Sequence, residues 1–163
     1  MAHCVLIGLG SNLGDRAANL WHALEWLPPA ARVEQISRVY ETAPWGITDQ
    51  PMFLNQAACV RTKLSPGDLL SHLKNIEREI GRQPGPRFGP RLIDLDILFY
   101  DDLVCEQDGL TIPHPRLAER AFALVPLCEI APDFMHPLLG LTVAQLADQI
   151  EKEGISLYEP PRE

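Results

Sequence analysis

At 163 residues the chain has the length of one ordinary domain, able to bury a core without disulfides or a structural metal, so a single unit over residues 1–163 with a frayed tail at 156–163 is expected. Lys and Arg total 14 against 22 Asp and Glu, and the formal charge of -8 disfavours a broad nucleic-acid or anionic-membrane footprint; any bound phosphate should be small and held locally. The hydrophobic share of 46% is that of a soluble globular protein, and 15 prolines imply stiffened connections.

Residues 1–10 lack a basic leader, and no uncharged apolar run is long enough to cross a bilayer, so a cytoplasmic location is the expectation. Residues 4–9 form a short apolar run closed by GSNLGD, a strand followed by a turn. Asp15 is placed to cap a helix whose stripe of Leu20, Leu24 and Leu27 is stopped by Pro28 and Pro29. Residues 32–42 return to extended character with Ile36 as an apolar anchor, APWGITDQP is a loop, and residues 53–63 form a second extended run. Cys4, Cys59, Cys105 and Cys128 form no CxxC pair and read as ordinary thiols.

The clearest helix spans residues 65–81, with Ser65 at the cap, Pro66 at the first helical position, Asp68 completing a capping box and Gly81 at the exit. Leu69, Leu73, Ile76 and Ile80 form its buried stripe, leaving Lys74, Glu77 and Arg78 to solvent or a cleft. The aperiodic RQPGPRFGPR that follows reads as an exposed loop suited to closing over an anion. Next comes a strand in which Asp94 and Asp96 share one face at roughly 6.5 to 7 Å, while Ile93, Leu95, Ile97 and Phe99 point to the other.

Asp101 and Asp102 mark a turn, residues 103–105 and 110–112 a small hairpin, and residues 117–125 a helix ended by Pro126. Thr142 and Gln145 box a last helix carrying Val143, Leu146 and Ile150, with Gly154 as its stop. The resulting order predicts an α+β fold, a ferredoxin-like βαββαβ core with additional C-terminal helices and a small hairpin. Helices would cover one side of the sheet and leave the other open for ligands, with Asp94 and Asp96 facing it.

Alternation alone would make these aspartates the wet face of an antiparallel strand. Their company points further: Arg82, Arg87 and Arg91 lie upstream, and His114 and Arg116 follow. Mg²⁺ takes a few carboxylate oxygens and completes its octahedron with water and phosphate, so Asp-x-Asp beside arginines suits a metal-polyphosphate substrate. Zinc fits poorly, since no cysteine or histidine pair has the spacing for it. Guanidinium forks match phosphate oxygens bidentately, and His114 reads either as a phosphate donor or as a satisfied surface imidazole. GLGSNLGD lacks the lysine and hydroxyl of a phosphate-binding GxxxxGK[ST] turn and reads as a strand-to-helix corner. In YETAPWGITDQPMFLNQ, Trp45 and Phe53 could stack a flat heteroaromatic ring whose edge Asn55 reads, or could belong to the core.

Six segments taken in order, IGLGSNLGD, SRVYETAPWG, QPMFLNQA, RFGPRLIDLDIL, IPHPRLAERAFAL and PLCEIAP, resemble the 6-hydroxymethyl-7,8-dihydropterin pyrophosphokinases; RFGPRLIDLDIL is the specific one. The resemblance implies transfer of pyrophosphate from MgATP to 6-hydroxymethyl-7,8-dihydropterin, giving the pterin diphosphate and AMP in folate biosynthesis. It implies two Mg²⁺ ions on Asp94 and Asp96, phosphate clamping by Arg82 and Arg91, and Asp96 as the nearest proton acceptor. By the same resemblance Phe53 and Phe122 sandwich the pterin, Asn55 reads its edge, and the backbone at Thr42, Pro44 and Trp45 lines the pocket. Lys74, Glu77, Ile97, Thr111 and His114 would lie along the ATP, with Arg87, Phe88 and Arg120 contributing from the flanks.

The chain departs from the family pattern at Gln83-Pro84-Gly85, where a second basic residue is frequent, at Pro115 in place of a frequent tyrosine, and at Phe53 in place of a stacking tyrosine. Phe53 keeps the ring and loses the hydroxyl. A monomer without nucleic-acid or membrane partners is expected. Two other classes compete: a noncatalytic ATP and pterin sensor, against which the Asp94, Asp96, Arg82 and Arg91 set argues, and an RNA-binding ferredoxin-like module, for which an exposed basic-aromatic pattern is missing.

Overall fold

The computed structural model describes residues 2–46, 48–81, 91–107 and 109–160. Its centre is strand β1 (His3–Ser11), which pairs antiparallel with β4 (Phe53–Thr62) on one side and β5 (Asp94–Tyr100) on the other. β2 (Ala31–Ile36) and β3 (Tyr40–Thr42) both pair with the far edge of β4, and β8 (Ile155–Leu157) adds to β3. Helices α1 (Arg16–Glu25) and α2 (Pro66–Ile80) follow β1 and β4, giving the expected ferredoxin-like α+β core. β6 (Cys105–Gln107) and β7 (Leu110–Ile112) form the small hairpin, its first strand two residues later than the expected 103–105. Among the described residues no helix is long and apolar enough to cross a membrane.

Local chemistry sets the helix ends. Asp15 accepts from Ala18 N at 3.1 Å and Ser65 Oγ from Asp68 N at 3.2 Å, while Gly81 closes α2 at φ 105°. α1 and α2 bury Leu20, Ala23, Leu69, Leu73 and Ile76 against Val5, Ile7, Leu9 and Leu95. α3 (Ala121–Ile130) and α4 (Val143–Asp148) cover part of the opposite face, packing Leu124, Leu127, Val143 and Leu146 on Leu6, Ala57, Leu98 and Phe99. The sheet is therefore covered on both sides, and its ligand-facing side remains open only toward the β3–β4–β1–β5 end.

Several expectations change. Phe99 does not share the face of Leu95 and Ile97: Leu6 pairs with Phe99 but Ile7 with Ile97, and the bulge at Leu98 turns Phe99 toward Phe134 and sends Tyr100 to the α1/α2 side. Residues 32–42 are two strands rather than one run. Ser37 sits at the break, donating its N–H to Ala57 O at 2.8 Å and accepting Ala57 N–H on Oγ at 2.9 Å. A second bulge, between Val33 and Gln35, leaves Ile36 48% exposed, and Val33 and Val39 make the core contacts instead.

Pro126 does not end a helix. A short 3-10 turn, Leu117–Glu119, precedes α3, which begins later than expected and carries Pro126 inside it, buried against the sheet. α4 has the Thr142/Gln145 capping box but stops at Asp148, before Gly154. The tail expected to fray is ordered as far as its pairing reaches: Tyr40 pairs with Leu157, Glu41 with Ser156, and Tyr158 N donates to Val39 O at 2.9 Å. Unsatisfied edge groups on β3 explain why so polar a segment joins the sheet. Cys4 and Cys59 are half-buried thiols 3.7 Å apart, and burial, with Cys4 adjacent, pushes the Cys59 thiol up to about 12.

The turned-over strand end can be checked directly. Phe99 is 1% exposed and lies 4.6 Å from Phe134, ring to ring. Phe99→Ala should cost about 3–5 kcal/mol in urea unfolding, and a loss below about 1 kcal/mol would contradict its burial under α3 and α4.

Candidate active site

The open end of the sheet forms a cavity of about 290 Å³. Its floor is β1, where Gly8 and Gly10 face outward and leave room that side chains would fill. Gly10 is paired with Asn55 of β4 on one side and Asp94 of β5 on the other, and Gly8 with Ala57 and Asp96. A Cβ at Gly10 would lie 2.7 Å from Asn55 Oδ1, so glycine there is a steric requirement.

Opposite edges of the cavity differ in chemistry. On the β4 side Asn55, 7% exposed, donates from Nδ2 to Thr42 Oγ1 at 2.7 Å, which fixes the amide with Oδ1 toward Gly10. Phe53, Trp45 and Phe122 add aromatic surface, Trp45 and Phe122 with ring centroids 6.4 Å apart. The Arg116 and Arg120 guanidinium carbons lie 5.4 and 5.0 Å from the Trp45 ring centre, and that of Arg120 also lies 5.6 Å from the Phe122 ring. On the β5 side Asp94 and Asp96 line the cavity with Arg91, His114 and Arg120.

Electrostatics make this half unlike ordinary surface. Burial, then the neighbouring Asp94, pushes the Asp96 carboxyl up to about 7; Arg120, whose Nη1 lies 3.9 Å from Asp96 Oδ2, and Lys74 work the other way. The Asp96 side chain still keeps 36% of its surface open, into the cavity. Two carboxylates that crowd each other in this way gain from any cation placed between them. His114 moves oppositely: burial, with Arg120 and Arg116 nearby, lowers it to about 4, so its imidazole is neutral. Arg116 N donates to His114 Nδ1 at 3.2 Å, and His114 Nε2 lies 3.4 Å from Arg120 Nη1.

The donor set fits Mg²⁺ better than a metal held by protein alone. Among the described residues no cluster of three or more His, Cys, Asp or Glu is placed to hold an ion. Two aspartates beside flanking cations suit a hard ion that shares its remaining positions with phosphate and water.

Of the residues predicted from sequence, Thr42, Trp45, Phe53, Asn55, Arg91, Asp94, Asp96, His114, Arg120 and Phe122 meet at this cavity. Pro44, Lys74, Glu77, Ile97 and Thr111 do not line it. Ile97 is buried in the α1/α2 core, so only its backbone faces neighbours on the sheet, and Thr111 is exposed on the hairpin. Arg82, Arg87 and Phe88, with the departure at Gln83-Pro84-Gly85, lie outside the described residues.

Glu77, expected to reach solvent or a cleft, is 1% exposed: Oε2 accepts Leu95 N–H at 2.9 Å and Oε1 pairs with Lys74 at 3.2 Å. Its place in the Leu73, Ile76, Ile80 stripe was the available signal, because a charge on a core stripe is held by something. Asn12 was read only as part of a corner; it is 2% exposed and bonded to residues on two other loops.

Comparison with known proteins agrees with this geometry. The family model described as 7,8-dihydro-6-hydroxymethylpterin-pyrophosphokinase (HPPK) matches residues 6–132. The chain is 44% identical over 155 residues to a 2-amino-4-hydroxy-6-hydroxymethyldihydropteridine pyrophosphokinase of Methylorubrum extorquens, covering 94% of this chain and 97% of that protein. A protein of the same name from Aquifex aeolicus is 44% identical over 134 residues, 82% of this chain and 84% of the other. The folate synthesis bifunctional protein, mitochondrial, of Arabidopsis thaliana is 51% identical over 129 residues, 78% of this chain but 23% of that longer protein. In fold, the chain superposes on Plasmodium falciparum HPPK-DHPS, solved with pteroate, with a TM-score of 0.74 at 18% identity, over 91% of this chain and 42% of that one.

The neutral His114 gives a pH signature. Its folded pKa, about 4, lies below the unfolded value near 6.5, so the folded state binds fewer protons in that interval and stability falls as pH drops from about 6.5 to about 4. Urea midpoints measured across that window should fall less steeply in His114→Gln than in the parent protein. Parallel curves would mean that the imidazole is not held neutral.

Proposed function

We propose a specific reaction for this chain, which belongs to the 7,8-dihydro-6-hydroxymethylpterin-pyrophosphokinase (HPPK) family: transfer of pyrophosphate from MgATP to the hydroxymethyl oxygen of 6-hydroxymethyl-7,8-dihydropterin, with release of AMP. Pyrophosphokinase activity in folate biosynthesis, with ATP, Mg²⁺ and a pterin, follows from family membership. The observation that carries the finer reading is one cavity with an aromatic and amide half on β4 and a paired-carboxylate, cationic half on β5, joined across the glycines of β1.

In this reading Phe53 and Phe122 stack the pterin, and Asn55 Oδ1, held by Thr42, accepts an N–H of its edge. Pro44 and Trp45 close that end through their backbone. Asp94 and Asp96 would hold two Mg²⁺ ions together with the phosphate oxygens; bound there, the ions neutralise phosphate charge and acidify the attacking hydroxyl. The hydroxymethyl oxygen bonds to the β-phosphorus, the bond from that phosphorus to the oxygen bridging the α- and β-phosphates breaks, and AMP leaves with the oxygen. Asp96 is the nearest acceptor for the hydroxyl proton.

Arg82, Arg91 and Arg120 clamp the phosphates, with the neutral His114 beside Arg120 on that side. Lys74, Thr111, Arg87, Phe88 and the backbone of Ile97 lie along the nucleotide. Glu77 acts on that side from within the fold, through Leu95 and Lys74.

Incubation with ATP, Mg²⁺ and 6-hydroxymethyl-7,8-dihydropterin should yield AMP and pterin diphosphate in equal amounts. ADP would mean single phosphoryl transfer, and tight binding without turnover would mean a sensor. Asp96→Ala should abolish AMP formation while leaving pterin binding largely intact; near-normal turnover by the folded variant would remove Asp96 from the metal site. Phe122→Ala should weaken pterin binding about tenfold and MgATP binding far less, whereas equal losses would point to local unfolding.

A further inference from the structure

We propose that Asn12 is a positioning residue that couples the two halves of the cavity, setting Arg91 on the phosphate side and the Gln50–Pro51 segment on the pterin side; this rests on the reaction proposed above. Asn12 follows β1 directly and is 2% exposed, yet it carries four polar contacts to distant segments. Its Nδ2 donates to Gln50 Oε1 and to Pro51 O, each at 2.9 Å. Its Oδ1 accepts Arg91 N–H at 2.7 Å, and its own N–H donates to Arg91 O at 2.9 Å.

Both donors and the acceptor of one buried amide are thus engaged, by two loops that have no strand pairing with each other. Two residues after Pro51, β4 opens at Phe53 and leads to Asn55; three residues after Arg91, β5 opens at Asp94. Asn12 holds the entry points of both strands from the end of the strand that lies between them.

A buried amide that only filled space would need no such orientation. An apolar side chain of similar size would fill the space without the cost of desolvating three polar groups. The geometry is also divisible. Asn12→Asp keeps an oxygen to accept Arg91 N–H but replaces the donors to Gln50 and Pro51 with an oxygen facing the Pro51 carbonyl. Asn12→Ala removes both halves. The loop keeps an anchor of its own in either variant, since Arg16 Nη1 donates to Met52 O at 3.0 Å.

The test compares the parent protein, Asn12→Asp and Asn12→Ala in the AMP and pterin diphosphate assay, each alone and combined with Arg91→Ala, using enzyme in excess for the slow variants. Asn12→Asp is expected to raise the pterin KM roughly tenfold with kcat within about threefold of the parent, and Asn12→Ala to lower kcat roughly tenfold as well. In the Arg91→Ala background the further kcat loss from Asn12→Ala should shrink to less than about twofold, because the side chain being positioned is gone.

A purely structural role would lower the melting temperature and leave KM and kcat of the folded protein unchanged. That result, or an equal kcat loss in both Arg91 backgrounds, overturns the proposal. Should Asn12→Ala fail to fold, Asn12→Asp decides alone: an unchanged pterin KM overturns it. Absence of turnover in the parent protein would instead refute the assigned reaction, whereas an active parent with unaffected variants would refute only the role of Asn12.

Discussion

The register of β1 between β4 and β5 is the constraint on which everything else rests. Gly10 sits opposite Asn55 on one neighbour and Asp94 on the other, so three adjacent strands bring an amide, a bare backbone and a carboxylate into one row. A slip of one residue on either neighbour would turn Asn55 or the aspartates into the apolar layer under α1 and α2 and bring leucines to the surface. The alternating core of Val5, Ile7 and Leu9 makes that slip costly. Hydrophobic burial on one face therefore fixes the chemistry on the other.

Charge is arranged against the overall balance of the chain. The protein is acidic, at -8, yet the cavity mixes its two aspartates with Arg91 and Arg120, and no broad basic surface is needed. Arg120 is 13% exposed on its side chain and lies against Trp45 and Phe122, so its guanidinium is oriented by ring faces as well as by Asp96. It approaches Asp96 at 3.9 Å and works against the burial and the Asp94 charge that push the Asp96 carboxyl up to about 7. Such a site is at its most comfortable with a cation on the aspartates and an anion under the guanidinium, which is the charge pattern of a metal-bound polyphosphate.

The parts of this arrangement legible in the sequence are those that depend on near neighbours. Ser65, Pro66 and Gly81 bound α2 because caps act within a few residues, and the two-residue spacing of Asp94 and Asp96 already put them on one face. What sequence patterning lost depends on partners far along the chain. The bulge at Leu98 follows from pairing with β1, not from anything in LFYDD, and so Phe99 was assigned to the wrong face. Pro126 was read as a stop because a proline removes a helix hydrogen bond, but burial of α3 against the sheet outweighs that local cost. β8 overlaps the tail expected to fray, and its partner is a sheet edge about 115 residues earlier. Phosphate recognition by arginines and ring stacking near Asn55 were readable from residue chemistry, the parts of Phe122 and Arg120 came from resemblance, and Asn12 carried no local signal, since its partners are on loops that only the fold brings together.

Glu77 shows how the scaffold reaches the site without touching the cavity. It comes from α2, on the opposite side of β5 to the aspartates, and binds the N–H of Leu95, the residue between them, so carboxylates flank this stretch of strand on both faces. Its negative charge raises the Asp96 carboxyl while Lys74, one helical turn away and 3.2 Å from Glu77, lowers it. Helix α2 thus presents a nearly compensated pair behind the strand. Removing either member would unbalance the field at Asp96, and removing Glu77, with or without Lys74, would also take away the acceptor of Leu95 N–H. An ion pair whose lysine is half exposed adds little to stability by itself, and the position of Glu77 is better explained by what it does to β5: it fixes the strand's height against α2 and sets the charge that the aspartates experience from behind.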